Sequence, residues 1–148
     1  MKVAENIFLY DGIERPERPN IYCIFTDGQW VLDIESYKFD KKNNIKRSYQ
    51  SEISSGFISE TGIKLSCIAS DIQAIKNNYE FSVISGKDYV VIEDFNNDYY
   101  EITLDDAKKV IKELSDYIIY INNINKELHD KLSKAITVDE INAIFWPQ

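Results

Sequence analysis

Residues 104–135, LDDAKKVIKELSDYIIYINNINKELHDKLSKA, are the stretch whose reading decides the fold. Apolar side chains recur there at Leu104, Ala107, Ile111, Leu114, Ile118, Ile121, Leu128, Leu132 and Ala135, alternately three and four apart, with Asn125 in the one skipped place. This spacing gathers them on one stripe of an α-helix and matches a heptad seam. No glycine or proline interrupts residues 104–136, so at 1.5 Å per residue the helix has room to run about 50 Å. Thr103 is a suitable N-cap, and Asp105 and Asp106 follow it in the first turn, where the helix dipole favours negative charge. Thr137 and Glu140, three apart, form a capping box that starts a short helix through Phe145, which Pro147 prevents from continuing.

Two uses of the stripe are open. A single Asn in a heptad seam costs stability but fixes register and oligomer state, because a misaligned partner leaves its amide unpaired. Val110, Tyr117 and Ile124, however, widen the stripe beyond two seam positions, as in a helix lying on its own domain. The expectation is that residues 104–121 pack on the body and that the second half is freer to meet a partner. Leu114, Ile118, Ile121, Asn125, Leu128, Leu132 and Trp146 are the candidate partner or self-association contacts.

Upstream of the arm, residues 6–10 form a short apolar run ended by Asp11-Gly12, and residues 15–20 read as an extended linker, since Pro16 and Pro19 oppose helix and ladder pairing. Residues 21–26 and 29–34 are rich in β-branched and aromatic side chains and flank Asp27-Gly28, the dipeptide that tolerates the positive φ angles of a type I′ turn. Tyr22, Phe25, Trp30 and Leu32 are the expected packing residues of that hairpin. Residues 35–52 are charged and weakly periodic, predicting a modest surface helix over the second half that Ser54-Ser55-Gly56 stops. Residues 57–68 read as a strand broken at Gly62, and residues 70–78 as a short helix capped by Ser70 or Asp71. Residues 79–84, 88–93 and 99–102 then predict three short strands, with a polar turn over residues 95–98. The fold class is α+β: an N-terminal β-hairpin, a small antiparallel meander, a long C-terminal helix and a short terminal helix. The corresponding regions are 1–56, 57–103 and 104–148.

The chain of 148 residues carries 25 acids against 17 bases, a net charge of −8. Such a surface repels phosphate backbones and anionic lipid, so neither nucleic acid nor membrane is an expected partner. The charge is uneven: residues 79–106 hold eight acids and one base, Lys87, for a net of −7, whereas residues 104–136 balance. Cys23 and Cys67 sit in apolar runs, as buried thiols do, and nothing in their spacing asks for a disulfide. The first residues lack an apolar signal-peptide core, and no stretch reaches the roughly 18 apolar residues of a membrane span. A reducing, cytosolic setting is expected.

Catalytic signatures are scarce. There is no glycine-rich phosphate loop, zinc-ligand pattern or Gly-x-Ser-x-Gly elbow, and the sole histidine, His129, lies beside the seam position Leu128 on the helix. No catalytic residue, cofactor or enzymatic activity is expected. The one acidic pattern of interest is Asp94, Asn96 and Asp98 at alternate positions with Asp105 eleven residues after Asp94, an arrangement of oxygen ligands that suits a hard cation such as Ca²⁺. Tyr99 stands where a calcium loop needs glycine, so the competing reading is a solvated hairpin turn followed by a helix cap.

The ordered series Pro-Asn-Ile-Tyr-Cys-Ile-Phe-Thr-Asp-Gly-Gln-Trp-Val-Leu-Asp over residues 19–33, Thr61-Gly62-Ile63-Lys64, the helix around Asp71, Ile102-Thr103-Leu104, and the ending from Ala135-Ile136-Thr137-Val138-Asp139-Glu140-Ile141 to Trp146-Pro147 resembles a family. That family is an uncharacterised domain of small proteins and tail-fibre-associated proteins of tailed phages and prophages. Its pattern joins a "dG-x-W" hairpin, a "Gly-Ile" segment, a strand pair, a long helix and an "Ala-Thr-x-x-Glu-Leu-x-x-Ile…Trp-Pro" ending. The chain departs from it at Ile136, beside Thr137, and at Lys64-Leu65-Ser66, where an acid is common. The resemblance implies a place rather than a reaction: a tail, fibre or baseplate component, or an assembly chaperone for a fibre, in the host cytoplasm during assembly or in the virion tail. A tail fibre or other tail protein is then the expected partner, with self-association through the heptad helix as a further expectation. The −7 segment motivates a different reading, an acidic inhibitor or immunity-type protein that masks a basic partner.

Overall fold

The computed structural model describes residues 7–10, 13–16 and 18–147. Among the described residues there are four two-stranded antiparallel sheets, two in succession before the first helix and one before each of the next two. The first pairs β1 (Ile7–Tyr10) with β2 (Ile13–Pro16). Asp11-Gly12 between them lies outside the described residues. Pro16 is the last residue of β2, aligned with Ile7, so the reading of residue 16 as linker is corrected. A strand end tolerates the missing N–H that a ladder interior would not.

β3 (Cys23–Thr26) and β4 (Gln29–Leu32) form the expected hairpin. Asp27 and Gly28 both take positive φ, 51° and 83°, as a type I′ turn requires. Alternation puts Cys23, Phe25, Trp30 and Leu32 on one face, where Phe25 meets Trp30 edge-on at 5.2 Å between ring centroids. Arg18 reaches over Trp30 and donates its Nε to the Cys23 carbonyl at 2.9 Å.

The chain then enters α1 (Ile34–Ser55), which is longer than the sequence suggested. Asp33 caps it, accepting from the backbone N–H of Glu35 and Ser36. The helix spans its charged first half because the inward stripe Ile34, Tyr37, Lys41, Ile45 has helical spacing; the stem of a lysine can cover apolar surface that a strict hydrophobic pattern overlooks. Gly56 ends α1 at φ 74°. A Cβ there would stand 2.7 Å from the Leu65 carbonyl oxygen and 2.8 Å from the Phe95 ring.

Residues 57–68 are interrupted at Gly62, at φ 82°, and the two extended parts fold back on each other. β5 (Phe57–Ile58) pairs with β6 (Lys64–Leu65) around a turn in which buried Ser59 accepts from Ile63 N–H and donates to the Ile63 carbonyl, both at 3.1 Å. α2 (Ala69–Ile84) follows, with Ile68 rather than Ser70 or Asp71 at its N-cap. It absorbs residues 79–84, so the expected three-stranded meander is corrected to the single hairpin of β7 (Tyr89–Glu93) and β8 (Tyr99–Thr103). Tyr79, Phe81 and Val83 alternate like a strand, but Ile72, Ile75 and Tyr79 continue a helical stripe into the core, and that longer period prevails.

α3 (Leu104–Lys134) spans about 46 Å at 1.5 Å per residue. Thr103 caps it by accepting from Asp106 N–H at 3.1 Å. α4 (Val138–Asn142) begins at the expected capping box, with Glu140 accepting from Ile136 and Thr137 N–H at 2.7 and 3.1 Å. It ends at Asn142, short of the expected Phe145. No helix of the described residues is long and apolar enough to cross a membrane.

Two apolar clusters line α3. Its N-terminal half joins Val90 and Ile92 of β7, Leu65 and Ile75 through Ala107, Val110 and Leu114. The C-terminal half joins Ile45 of α1 with Ile141 and Ile144 through Leu128 and Leu132. α1 lies antiparallel along α3, as three hydroxyl bonds mark in order: Tyr117 to Glu52 at 2.9 Å, Tyr49 to Asn122 at 2.7 Å, and Tyr37 to Asn142, just beyond α3, at 2.6 Å.

Asn125 Oδ1 is buried without a hydrogen-bond partner, a desolvation cost of order 1–3 kcal/mol. Asn125→Leu is therefore expected to raise stability by about 1 kcal/mol, read as a higher urea midpoint, with the oligomeric state unchanged on size-exclusion light scattering. Gly56→Ala is expected to lower the midpoint well beyond Gly86→Ala. Both positions have positive φ, but a Cβ at Gly86 meets nothing within 4 Å.

Candidate functional site

The seven residues expected to meet a partner are placed inside the chain. Leu114, Ile121, Leu128 and Leu132 are buried, and Ile118 and Asn125 are half-buried on the same stripe. Trp146 packs edge-on against Tyr49 of α1, with ring centroids 6.2 Å apart. Within the chain these residues pack intramolecularly, and the expectation that the second half of the arm is freer is corrected: α1, too polar to announce itself as a complementary stripe, covers it.

The Asp94 pattern is resolved as a turn. Asp94 is 8% exposed, and its Oδ1 accepts the N–H of Asn96 at 2.7 Å and of Asp98 at 2.9 Å, while Asn97 takes φ 65°. The carboxylate thus holds the β7–β8 turn. Asp105 belongs to the first turn of α3. Among the described residues no group of three or more His, Cys, Asp or Glu side chains is gathered as a metal site. His129 sits half-buried beside Leu128. Cys23 and Cys67 are both buried and free.

One titratable cluster lies where the α1 and α3 helices meet the first core. Tyr117 donates to Glu52 and stacks on Phe57 at 5.2 Å. Burial first, then the Glu52 bond and charge, push its hydroxyl up to about 12. Burial and Glu52 also raise the Cys67 thiol. These shifts favour the neutral, unreactive forms, so the cluster is a packing feature rather than a nucleophile. Because the folded-state pKa of Tyr117 exceeds the ordinary tyrosine value of 10.0, its contribution is fully present below pH 10 and is lost as pH rises towards 12. Tyr117→Phe is expected to flatten the fall in stability across that window in pH-dependent urea unfolding.

The concave surface of the molecule lies elsewhere, between α2 and the outer face of the β7–β8 hairpin. The register Val91↔Glu101 and Glu93↔Tyr99, with strand alternation, turns Tyr89, Val91 and Glu93 outward with Tyr99, while Val90 and Ile92 enter the core. These outward side chains floor a cleft of about 600 Å³, and Ile68, Asp71, Asn78 and Phe81 form its wall, a size within the roughly 300–1,000 Å³ of ligand-binding clefts. Ile68, Phe81 and Tyr99 are exposed at 54%, 64% and 70%. Asn78 donates to the Val91 carbonyl at 3.3 Å, joining wall to floor. The two lysines nearby are held against aromatic rings, Lys64 at 4.0 Å from the Phe95 centroid and Lys87 at 5.2 Å from that of Tyr89.

The cleft escaped the sequence because residues 79–84 read as a strand, so that α2 was not seen to run alongside the β7–β8 hairpin. The −7 charge of residues 79–106 was its one legible sign. Comparison with family models, with curated proteins and with solved structures finds no match to this chain.

Proposed function

We propose that this chain is a non-enzymatic, tail-associated protein of a phage or prophage, a structural component or assembly chaperone that works through protein–protein contacts. The single observation that supports protein binding is the exposed apolar face at the α2–β7–β8 cleft, where Ile68, Phe81, Val91 and Tyr99 stand in solvent. Large apolar side chains gathered on one face commonly mark an interaction surface, because covering them releases roughly 25 cal/mol per Å². The tail assignment is supported by the sequence resemblance over residues 19–33 and at the ending from Ala135 to Pro147. With the heptad stripe internal, the contact surface moves from the arm to this face.

A second reading, an acidic inhibitor or immunity-type protein, is favoured by the −7 charge of residues 79–106, part of which, Glu93, borders this cleft beside Asp71. Salt dependence separates the two, since masking of a basic partner through charge gives association that slows steeply as salt rises.

The test is co-expression of the tagged chain with tail-fibre proteins from the same genome, followed by affinity capture and gel filtration. Co-elution of a fibre protein as a defined complex is the expected result, and a chain that elutes alone overturns the tail reading.

A further inference from the structure

The geometry points to the occupant of the α2–β7–β8 cleft: a short cationic segment of a protein partner that seats one large apolar side chain between Phe81 and Tyr99 and sets lysine or arginine against the acidic rim. This deepens the reading of the chain as an interaction protein and rests on it.

The apolar part of the argument comes from the lining. Ile68, Phe81, Val91 and Tyr99 are each more than 40% exposed, yet they converge on one concavity. A convex scatter of such residues would be ordinary surface; a shared cleft offers a pocket that an aliphatic or aromatic anchor can fill.

Charge narrows the occupant. Asp71 and Glu93 line the cleft, Glu80 and Glu101 belong to the helix and strand beside it, and Asp88 and Asp98 lie in the connections immediately before β7 and β8. Asp94, also in the lining, is already committed to the turn through two backbone N–H groups. Against these acids stand Lys76 of α2, Lys87, whose Nζ donates to the Tyr89 hydroxyl at 3.2 Å, and Lys64, lying over the Phe95 ring, fewer than the acids they face. The field above the opening is therefore negative, and an apolar wall strengthens it by excluding water. An anionic ligand or an acidic peptide is repelled. A second copy of this chain, with net charge −8, is repelled as well. A segment that alternates cationic and apolar side chains satisfies both features.

Fluorescence anisotropy tests this on the full chain with three short labelled peptides: one alternating lysine with leucine and phenylalanine, one with glutamate for lysine, and one with serine for the apolar residues. The first is expected to bind. Its affinity should fall about tenfold or more in Phe81→Ser and in the double variant Asp71→Asn with Glu93→Gln, and should weaken as salt rises past the concentration where the Debye length is ~10 Å, about 0.1 M. Phe81, Asp71 and Glu93 are all exposed, and retention of the wild-type urea midpoint separates lost binding from lost folding.

Equal binding of all three peptides, indifference to both variants, or no binding of the first peptide overturns the assignment. Displacement of the bound peptide by free lysine amide alone also overturns it, since the occupant is then a small cation. The outcome is separable from the tail reading. Peptide binding without fibre capture leaves the cleft assignment standing and removes the tail partner. Fibre capture that survives Phe81→Ser and is not competed by the peptide does the reverse.

Discussion

The fold depends on one long apolar stripe that cannot be left in water. α3 carries it, and a hairpin and three helices cover it in succession. The β7–β8 hairpin and α2 take the N-terminal turns, α1 the middle and α4 the C-terminal end. None of the hairpins is large enough to stand alone, since a two-stranded ribbon is marginal in water until it packs on something. α3 gives that surface to the β7–β8 hairpin and, through the core around Leu65, to β5–β6.

The pairing of α1 with α3 illustrates how a polar helix can complete a core. Only Ile45 of α1 is fully buried. The rest of the contact is built from tyrosines and lysine stems, with hydroxyls of Tyr49 and Tyr117 bonded across the two helices and that of Tyr37 reaching Asn142 of α4. Such a face offers little apolar area per turn but fixes alignment, because each hydroxyl has one partner at one height. Asn125 is the exception on the opposite side, a seam amide whose oxygen is buried without a partner. In a coiled coil between two chains it would be a register device; here it is a local cost that the surrounding leucines outweigh.

Burying that stripe has a functional consequence. With the seam of the arm spent on the chain's own core, the α2–β7–β8 cleft is a concave place where exposed apolar side chains, Ile68, Phe81, Val91 and Tyr99, come together. Its acidity is no accident of composition. The turn acid Asp94 and the helix-cap acids Asp105 and Asp106 serve local structure, but Asp71 and Glu93 face the opening with no cation of the chain bonded to them among the described contacts. Structural and functional acids are interleaved in one short stretch, and only their hydrogen bonds distinguish them.

What the sequence determined by itself is whatever rests on neighbours a few residues apart. Asp27-Gly28 specified its turn, Thr103 and the Thr137–Glu140 pair set where helices begin, and the three-four spacing of residues 104–135 dictated a helix. Capping, turn geometry and helical period are local physics, legible without a fold. The tertiary structure alone decided what covers the stripe, because that depends on α1 reaching back over some seventy residues, from Glu52 to Tyr117 and from Tyr49 to Asn122. It also decided residues 79–84, whose alternating aromatic and polar side chains fit both a strand and a helix. There the burial of Ile72, Ile75 and Tyr79 in one core selected the helix and so left Phe81 facing the cleft.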